Sequence, residues 1–183
     1  MIQRAPFVLL RGLLISVVGR VRKPGIVIEI PGFGTRAIRT MVSDYTGTLS
    51  RAGKLSPGVK QSLLKLLELI DVEIVTSDSY GSAEQEFEGI LKPHFMTQER
   101  HDVEKQDFVK RFPLQHVIAF GNGNNDRLLL GTVKQAGGVA IAVDNGEGCA
   151  VDTLLAAHLF VTGAVNALNL LLETRASKAT LRF

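Results

Sequence analysis

From residue 26 onward, short runs of aliphatic and β-branched residues alternate with longer stretches whose apolar positions recur at helical spacing. Residues 26–30, Ile-Val-Ile-Glu-Ile, predict a lead-in strand that ends at the Pro31-Gly32 turn, and residues 37–43 a second strand that delivers Asp44 at its carboxyl end. Residues 48–55 predict a small hairpin turning at Ala52-Gly53. Ser56, as N-cap, and Pro57, in the first helical position, then open a helix whose apolar face is Val59, Leu63, Leu66, Leu67 and Ile70. Strands follow at about 72–75, 94–96, 116–120, 138–143 and 158–161. Helices are expected at 82–91, 103–112, from 126, and at 149–156 and 165–172. This alternation predicts an α/β domain, a doubly wound parallel sheet with helices on both faces. No internal repeat, low-complexity tract or long linker interrupts it.

A chain of 183 residues fits one domain and can bury about two thirds of its unfolded surface without staples. With 45% apolar and 21% charged residues it falls in the ordinary globular class. The pI of 9.2 invites a nucleic-acid reading. However, Arg4, Arg11, Arg20, Arg22 and Lys23 all precede residue 26 with no acid among them, and in the remainder acids outnumber bases. The excess belongs to an N-terminal extension, residues 1–25, rather than to a binding face, so no nucleic-acid partner is expected. Arg11 splits the apolar part of that extension and no small-residue cleavage pattern follows, which argues against a secretory signal. Its uncharged run, residues 12–19, is far short of the roughly 20 residues of a membrane span. An over-called start, an added surface element and a targeting segment stay open, and residues 26–183 form the expected domain. Cys149 is the single cysteine, so the chain can form no internal disulfide and no four-cysteine zinc site, which suits a reducing cytoplasm. With no charged partner beside it, Cys149 is expected to be a small buried residue.

In open parallel sheets, ligands sit beyond the carboxyl ends of the strands, where helix N-termini present free N–H groups. Three polar stretches occupy that position, residues 44–48, 76–78 and 121–126, and are expected to converge. A carboxylate such as Asp44 can attack phosphorus and divide phosphoryl transfer into two easier steps. Two anions then approach each other, so the reaction needs a hard divalent cation and donors for the phosphoryl oxygens. Asp126, with Asn122 or Asn125, could hold Mg²⁺ together with Asp44 and the Thr46 carbonyl. Thr76, Thr48 and nearby backbone N–H groups could hold the phosphate, and Lys105 could neutralise it. Each stretch alone also has a bland reading, as turn, loop or helix start.

Asp44-Tyr45-Thr46-Gly47-Thr48-Leu49 resembles the first motif of the haloacid dehalogenase-like hydrolases, usually D-x-D-G-T-L, in the variant that P-type ATPases carry as D-K-T-G-T. Thr76-Ser77-Asp78 is similar to their T-G-D, and residues 121–126, Gly-Asn-Gly-Asn-Asn-Asp, to G-D-G-x-N-D. Lys105 matches the position of the third-motif lysine, with Lys110 as the alternative. The resemblance covers residues 26–183 and runs closest to the soluble P-type ATPase-like group. It implies a Rossmann-like haloacid dehalogenase-like fold, Mg²⁺, and Asp44 as phosphoryl acceptor. Thr46, Thr76 and Lys105 would share the catalytic work. Gly47, Thr48, Ser77 and Asn125 would contact substrate, and Asp44, Thr46, Asn122 and Asp126 would hold the metal.

Two departures qualify those expectations. Thr46 stands where phosphatases of the superfamily carry a second Asp that protonates the leaving group. Such assistance is worth roughly 10² to 10⁴ in rate, so turnover should be slow. Asn122 stands where a charged metal ligand is usual, which predicts weaker Mg²⁺ binding. Residues 45–75 and 77–104 leave no room for a nucleotide-binding domain or a cap, which excludes ATP-driven transport and predicts an open site. That site suits a phosphorylated macromolecule, or a phosphorylated small molecule covered by another subunit of a homo-oligomer. A catalytically weak phosphate-sensing or partner-binding module is the alternative. His94, His101, His116 and His158 show no metal-ligand spacing and are expected to be structural, Gly32-Phe33-Gly34 to be a turn, and Glu84, Glu86 and Glu88 to be a solvated helix face.

Overall fold

The computed structural model describes residues 23–182, so the open question about the extension falls, for residues 1–22, outside the described residues. Lys23 is fastened to the domain. Its ammonium donates to Ile70 O at 2.8 Å and pairs with Asp71 at 3.0 Å.

Strands β1 (Ile26–Ile30) and β2 (Gly34–Ile38) form an antiparallel ribbon about the Gly32-Phe33-Gly34 turn, and β3 (Thr40–Ser43) follows. The hairpin β4 (Ser50–Arg51) and β5 (Lys54–Leu55) leads into α1 (Val59–Leu69) and β6 (Asp71–Thr76). Next come α2 (Ala83–Glu86), β7 (His94–Phe95), α3 (His101–Val109) and β8 (Val117–Gly121). The chain finishes with α4 (Arg127–Gln135), β9 (Val139–Asp144), α5 (Val151–Ala156), β10 (Leu159–Thr162), α6 (Ala164–Leu172) and α7 (Thr174–Leu181).

Six strands make the main sheet in the order β10-β9-β8-β3-β6-β7, all neighbours parallel. This is the doubly wound Rossmann-like order, in which the direction of winding reverses between β3 and β8. Alternation along the strands builds two cores. Met41, Ile74, Ile118, Phe120, Ile141 and Val143 face α1, α6, α7 and the ribbon, whereas Val42, Val75, Ala119, Ala140 and Ala142 face α3 and α4. The second face is poor in bulk, and α4 fills it with Leu129, Leu130 and Val133. Burying each such Leu or Val contributes about 1.5–3 kcal/mol. Between the strand ends the chain inserts only the hairpin with α1, and then α2, β7 and α3, so the described residues include no cap domain.

Several boundaries differ from the sequence expectation. The strand expected at 37–43 breaks at Arg39, where the backbone N–H donates to His116 O and the side chain reaches Pro24 O, turning the chain from ribbon to sheet. Ser56 does not cap α1. Its hydroxyl accepts from Asn145 Nδ2 at 2.8 Å, Pro57 and Gly58 form a turn, and Gly58 enters the helix from the left-handed region at φ 88°. The helix expected at 82–91 is the single turn α2, after which Gly89 adopts φ 73°. Glu86 is half-buried rather than solvated, because its carboxylate accepts from Leu55 N at 3.0 Å. Helix α7, absent from the expectation, packs Leu181 into the core beneath β1.

Candidate active site

Because the winding reverses between β3 and β8, the chain segments leaving these two strands diverge and leave a crevice. Asp44, the first residue beyond β3, donates its backbone N–H to Phe120 O at 3.0 Å and therefore lies beside the loop that follows β8. That loop is a 3-10 turn over Asn124–Asp126, and it aims Asp126 back at Asp44. Lys105 enters from the buried face of α3 and bridges the two acids. Its Nζ lies 2.6 Å from Asp44 Oδ1 and 2.7 Å from Asp126 Oδ1. Lys105 and Asp126 are 0% exposed and Asp44 4%. Lys110 is elsewhere, on the surface with Asp107.

Two carboxylates share one ammonium, so positive charge is short. Burial pushes the Asp44 carboxyl up from 3.8 to about 7, the nearby Asp126 adds to this, and Lys105 only partly offsets it. Burial also works against the Lys105 ammonium, but the two acids outweigh it and hold it above its ordinary value. Asp126 has other donors besides Lys105. Its Oδ2 accepts from the backbone N–H groups of Asn122 at 2.9 Å and Gly123 at 3.0 Å.

The other side of Asp44 is set by Thr48 and Asn122. The Thr48 hydroxyl lies 3.0 Å from Asn122 Oδ1 and 3.3 Å from Asp44 Oδ2, and Asn122 Nδ2 donates to Gly148 O at 3.2 Å. Gly47 sits against Asn122 in the left-handed region at φ 76°, where an added Cβ would come within 2.4 Å of Asn122 Nδ2. The bonded cluster thus holds Asp44, Thr48, Lys105, Asn122 and Asp126, with Gly47 packed on it. Thr76 is buried at the end of β6, the strand beside β3, and its hydroxyl accepts from Asp78 N at 2.9 Å. Ser77 follows, half-buried. Asn125 is half-buried with its side-chain oxygen folded toward Gly123, and it is not bonded into the cluster. The Thr46 hydroxyl is buried without a hydrogen-bond partner among the described residues.

The β4–β5 hairpin walls the site and is held on both sides. Tyr45 Oη donates to Gly53 O at 2.5 Å, Ser82 Oγ donates to the same oxygen at 2.6 Å, and Ala52 N donates to the Glu147 carboxylate. Asp78, itself at φ 48°, accepts from the N–H groups of Ser82 and Ala83 and so fixes the loop that holds Ser82. Sequence reasoning missed Tyr45, Ser82, Glu147 and Asn145. The last two belong to a fourth polar strand end, residues 144–148, that the same search of strand ends would have found. Cys149 is half-buried, with burial raising its thiol. His158 Nδ1 accepts from Ala140 N, a structural role.

Chemically, the cluster offers a carboxylate surrounded by hydroxyls and one ammonium, with a surplus negative charge. The side-chain oxygens of Asp44 and Asn122 are hard, and they meet at the Thr48 hydroxyl. Among the described residues no three His, Cys, Asp or Glu side chains group as a metal site. No helix of the described residues is long and apolar enough to cross a membrane.

The chain matches no protein-family model. Among solved structures it resembles the 3-deoxy-D-manno-octulosonate 8-phosphate phosphatase of Moraxella catarrhalis, in complex with magnesium, phosphate and KDO. That match has TM-score 0.54 and 17% identity, and covers 78% of this chain and 90% of the other. A Legionella pneumophila protein assigned to subfamily III A of the HAD superfamily hydrolases matches with TM-score 0.57 and 21% identity, over 78% and 86% of the two chains. In sequence, the uncharacterized protein MJ0073 of Methanocaldococcus jannaschii is 40% identical over 77 residues, which cover 42% of this chain and 78% of the relative. The chain therefore has the haloacid dehalogenase-like fold and belongs to one family with MJ0073.

Proposed function

We propose that the protein is a Mg²⁺-dependent phosphohydrolase that acts through an aspartyl-phosphate on Asp44. The observation that carries this reading is the buried bridge of Lys105 between Asp44 and Asp126 at the point where the sheet reverses its winding. Phosphatases of the same fold, one of them described with magnesium and phosphate bound, support it.

In the first step an Asp44 oxygen attacks phosphorus and forms the acyl phosphate while the bond from phosphorus to the leaving oxygen breaks. The Thr46 hydroxyl is too weak an acid to protonate a leaving group, so the leaving oxygen takes its proton from solvent, which suits acyl phosphates and other good leaving groups. In the second step water attacks phosphorus, and the phosphorus–oxygen bond to Asp44 breaks, restoring the carboxylate and releasing inorganic phosphate. Thr48, Thr76, Ser77 and the backbone at Gly47 hold the phosphoryl oxygens, with Asn125 at the rim. Lys105 favours the ionised form of the Asp44 carboxylate, against burial and the neighbouring Asp126. Asp44, the Thr46 carbonyl, Asn122 and Asp126 would hold Mg²⁺, directly or through water, and the donor set fits because its oxygens are hard and its charge is negative. Bound there, the cation supplies Lewis-acid neutralisation of the phosphoryl charge. The capless site admits a phosphorylated small molecule or a phosphorylated macromolecule.

Release of product from p-nitrophenyl phosphate or acetyl phosphate with Mg²⁺, compared with Asp44→Asn, tests the reading. Equal rates or equal absence of covalent labelling in the two proteins reject it. The buried, unpartnered Thr46 hydroxyl favours a second reading, a phosphate-sensing module without useful turnover. Stabilisation by beryllium fluoride with Mg²⁺ in the absence of turnover would select it.

A further inference from the structure

The carboxyl end of β9 presents a residue that none of these steps uses. Asn145 bonds to three separate segments: its backbone N–H donates to Gly47 O at 3.3 Å, its Nδ2 donates to Ser56 Oγ at 2.8 Å, and its Oδ1 accepts from Ala164 N at 3.1 Å. The last contact fixes the sense of the amide, because only the oxygen can accept the N–H at the start of α6. Asn145 is itself held in place by its neighbour. Asp144 Oδ1 accepts from Gly146 N at 2.8 Å and Gly148 N at 2.9 Å, and Asp144 O accepts from Gly163 N at 2.8 Å.

Gly47 is therefore gripped from two sides. Asn145 holds its carbonyl, and Asn122 abuts its Cα so closely that no side chain fits. The next residue, Thr48, carries the hydroxyl that lies between Asp44 and Asn122. Rotating the peptide between Gly47 and Thr48 would move that hydroxyl off Asp44, and the Asn145 bond opposes this rotation. The side chain of Asn145 has no bond to Asp44, Lys105 or Asp126 among the described residues; it anchors residue 145 to Ser56 and Ala164, and the backbone N–H placed in this way reaches Gly47.

We propose that Asn145 is a positioning residue for the phosphoryl site, setting the orientation of the Gly47–Thr48 peptide from behind. This rests on the reading of Asp44 as phosphoryl acceptor. A misplacement of about 1 Å in a reacting geometry can lower a rate by about a hundredfold, so a residue that never meets the substrate can still matter.

The test compares wild type, Asn145→Ala and Asn145→Asp with acetyl phosphate and Mg²⁺, well below each melting temperature. Asn145→Ala loses both side-chain contacts, and its kcat is expected to fall about tenfold with KM nearly unchanged. Asn145→Asp keeps both contacts, because Ser56 can turn its hydroxyl to donate, and it should recover most of kcat. An Asn145→Ala protein that melts earlier but keeps its kcat overturns the proposal, leaving Asn145 as a brace for α6. Should wild type bind Mg²⁺ and beryllium fluoride without turnover, the comparison moves to the Kd of that probe, and an unchanged Kd in Asn145→Ala overturns the positioning role alone. Wild type that neither turns over nor binds the probe overturns the phosphoryl reading, and this one with it.

Discussion

Gly47 lies against Asn122 so closely that a methyl group on Gly47 would come within 2.4 Å of the Asn122 amide nitrogen, at a backbone φ of 76°. Both facts exclude any side chain. Gly47→Ala would incur about 1–2 kcal/mol for the left-handed backbone, and the displaced Asn122 would release its bonds to Thr48 and Gly148. The expected result is a lower melting temperature together with loss of Mg²⁺-dependent turnover. Asn122→Ala with Gly47→Ala should recover the part of the stability lost to the steric clash, but not turnover, and a double variant no more stable than Gly47→Ala would remove the steric explanation.

Lys105 should be indispensable to folding as well as to activity. Lys105→Met leaves two buried carboxylates facing each other, a loss of about 3–5 kcal/mol. Adding Asp126→Asn relieves part of that repulsion. Chemical denaturation of the single and double variants measures it: the double variant should be the more stable of the two.

Asp44 gives the cation-free protein a definite pH response. Its folded carboxyl is raised to about 7 from 3.8, so the folded state binds the extra proton between those values. The contribution is fully present below about 3.8 and is lost as pH rises through about 7. Thermal melts in chelator should therefore show stability falling across that window, and Asp44→Asn should flatten the slope. Mg²⁺ competes with the proton, so it should stabilise more at pH 8 than at pH 5.

His158 works in the opposite sense. Burial, then Lys134 and Arg36, lower its imidazole below the ordinary 6.5, and its Nδ1 must stay unprotonated to accept from Ala140 N. The stability it contributes is present above 6.5 and is lost as pH falls through the lowered value. His158→Asn keeps an acceptor without the titration. Its melting temperature should change less than that of wild type as pH falls from 6.5, and an identical acid response in both proteins would exclude His158 as the source.

Tyr45→Phe tests the hold on the hairpin. The lost hydroxyl bond to Gly53 O is worth about 0.5–1.5 kcal/mol, and Ser82 keeps the carbonyl satisfied, so the loss should sit at the low end. Adding Ser82→Ala strips the carbonyl of both donors, and urea denaturation should show a loss greater than the sum of the two single variants.

The strand ends were legible because hydrophobic runs stop there and polar residues begin. That pattern brought out Asp44, Thr76 and Asp126, and the sheet order does bring Asp44 and Asp126 together. The choice between Lys105 and Lys110 was not legible. It depends on which face of α3 meets the sheet, and α3 has charged residues all round. Arg39 gave no local sign of breaking a strand, since its partners are Pro24 and His116. Asn145 lies at a polar strand end and was open to the same search, but its partners Gly47, Ser56 and Ala164 are far from it in the chain, and only the folded sheet gathers them. Ser56-Pro57 misled because a good cap residue had a better partner elsewhere.

The hairpin beside Asp44 is fastened to the loop after β3 by Tyr45, to the loop after β6 by Ser82, to α2 by Glu86, and to the loop after β9 by Glu147. These contacts hold the wall in place. Thickening the medium with glycerol should therefore leave a slow chemical step untouched, since no movement of this wall has to precede it.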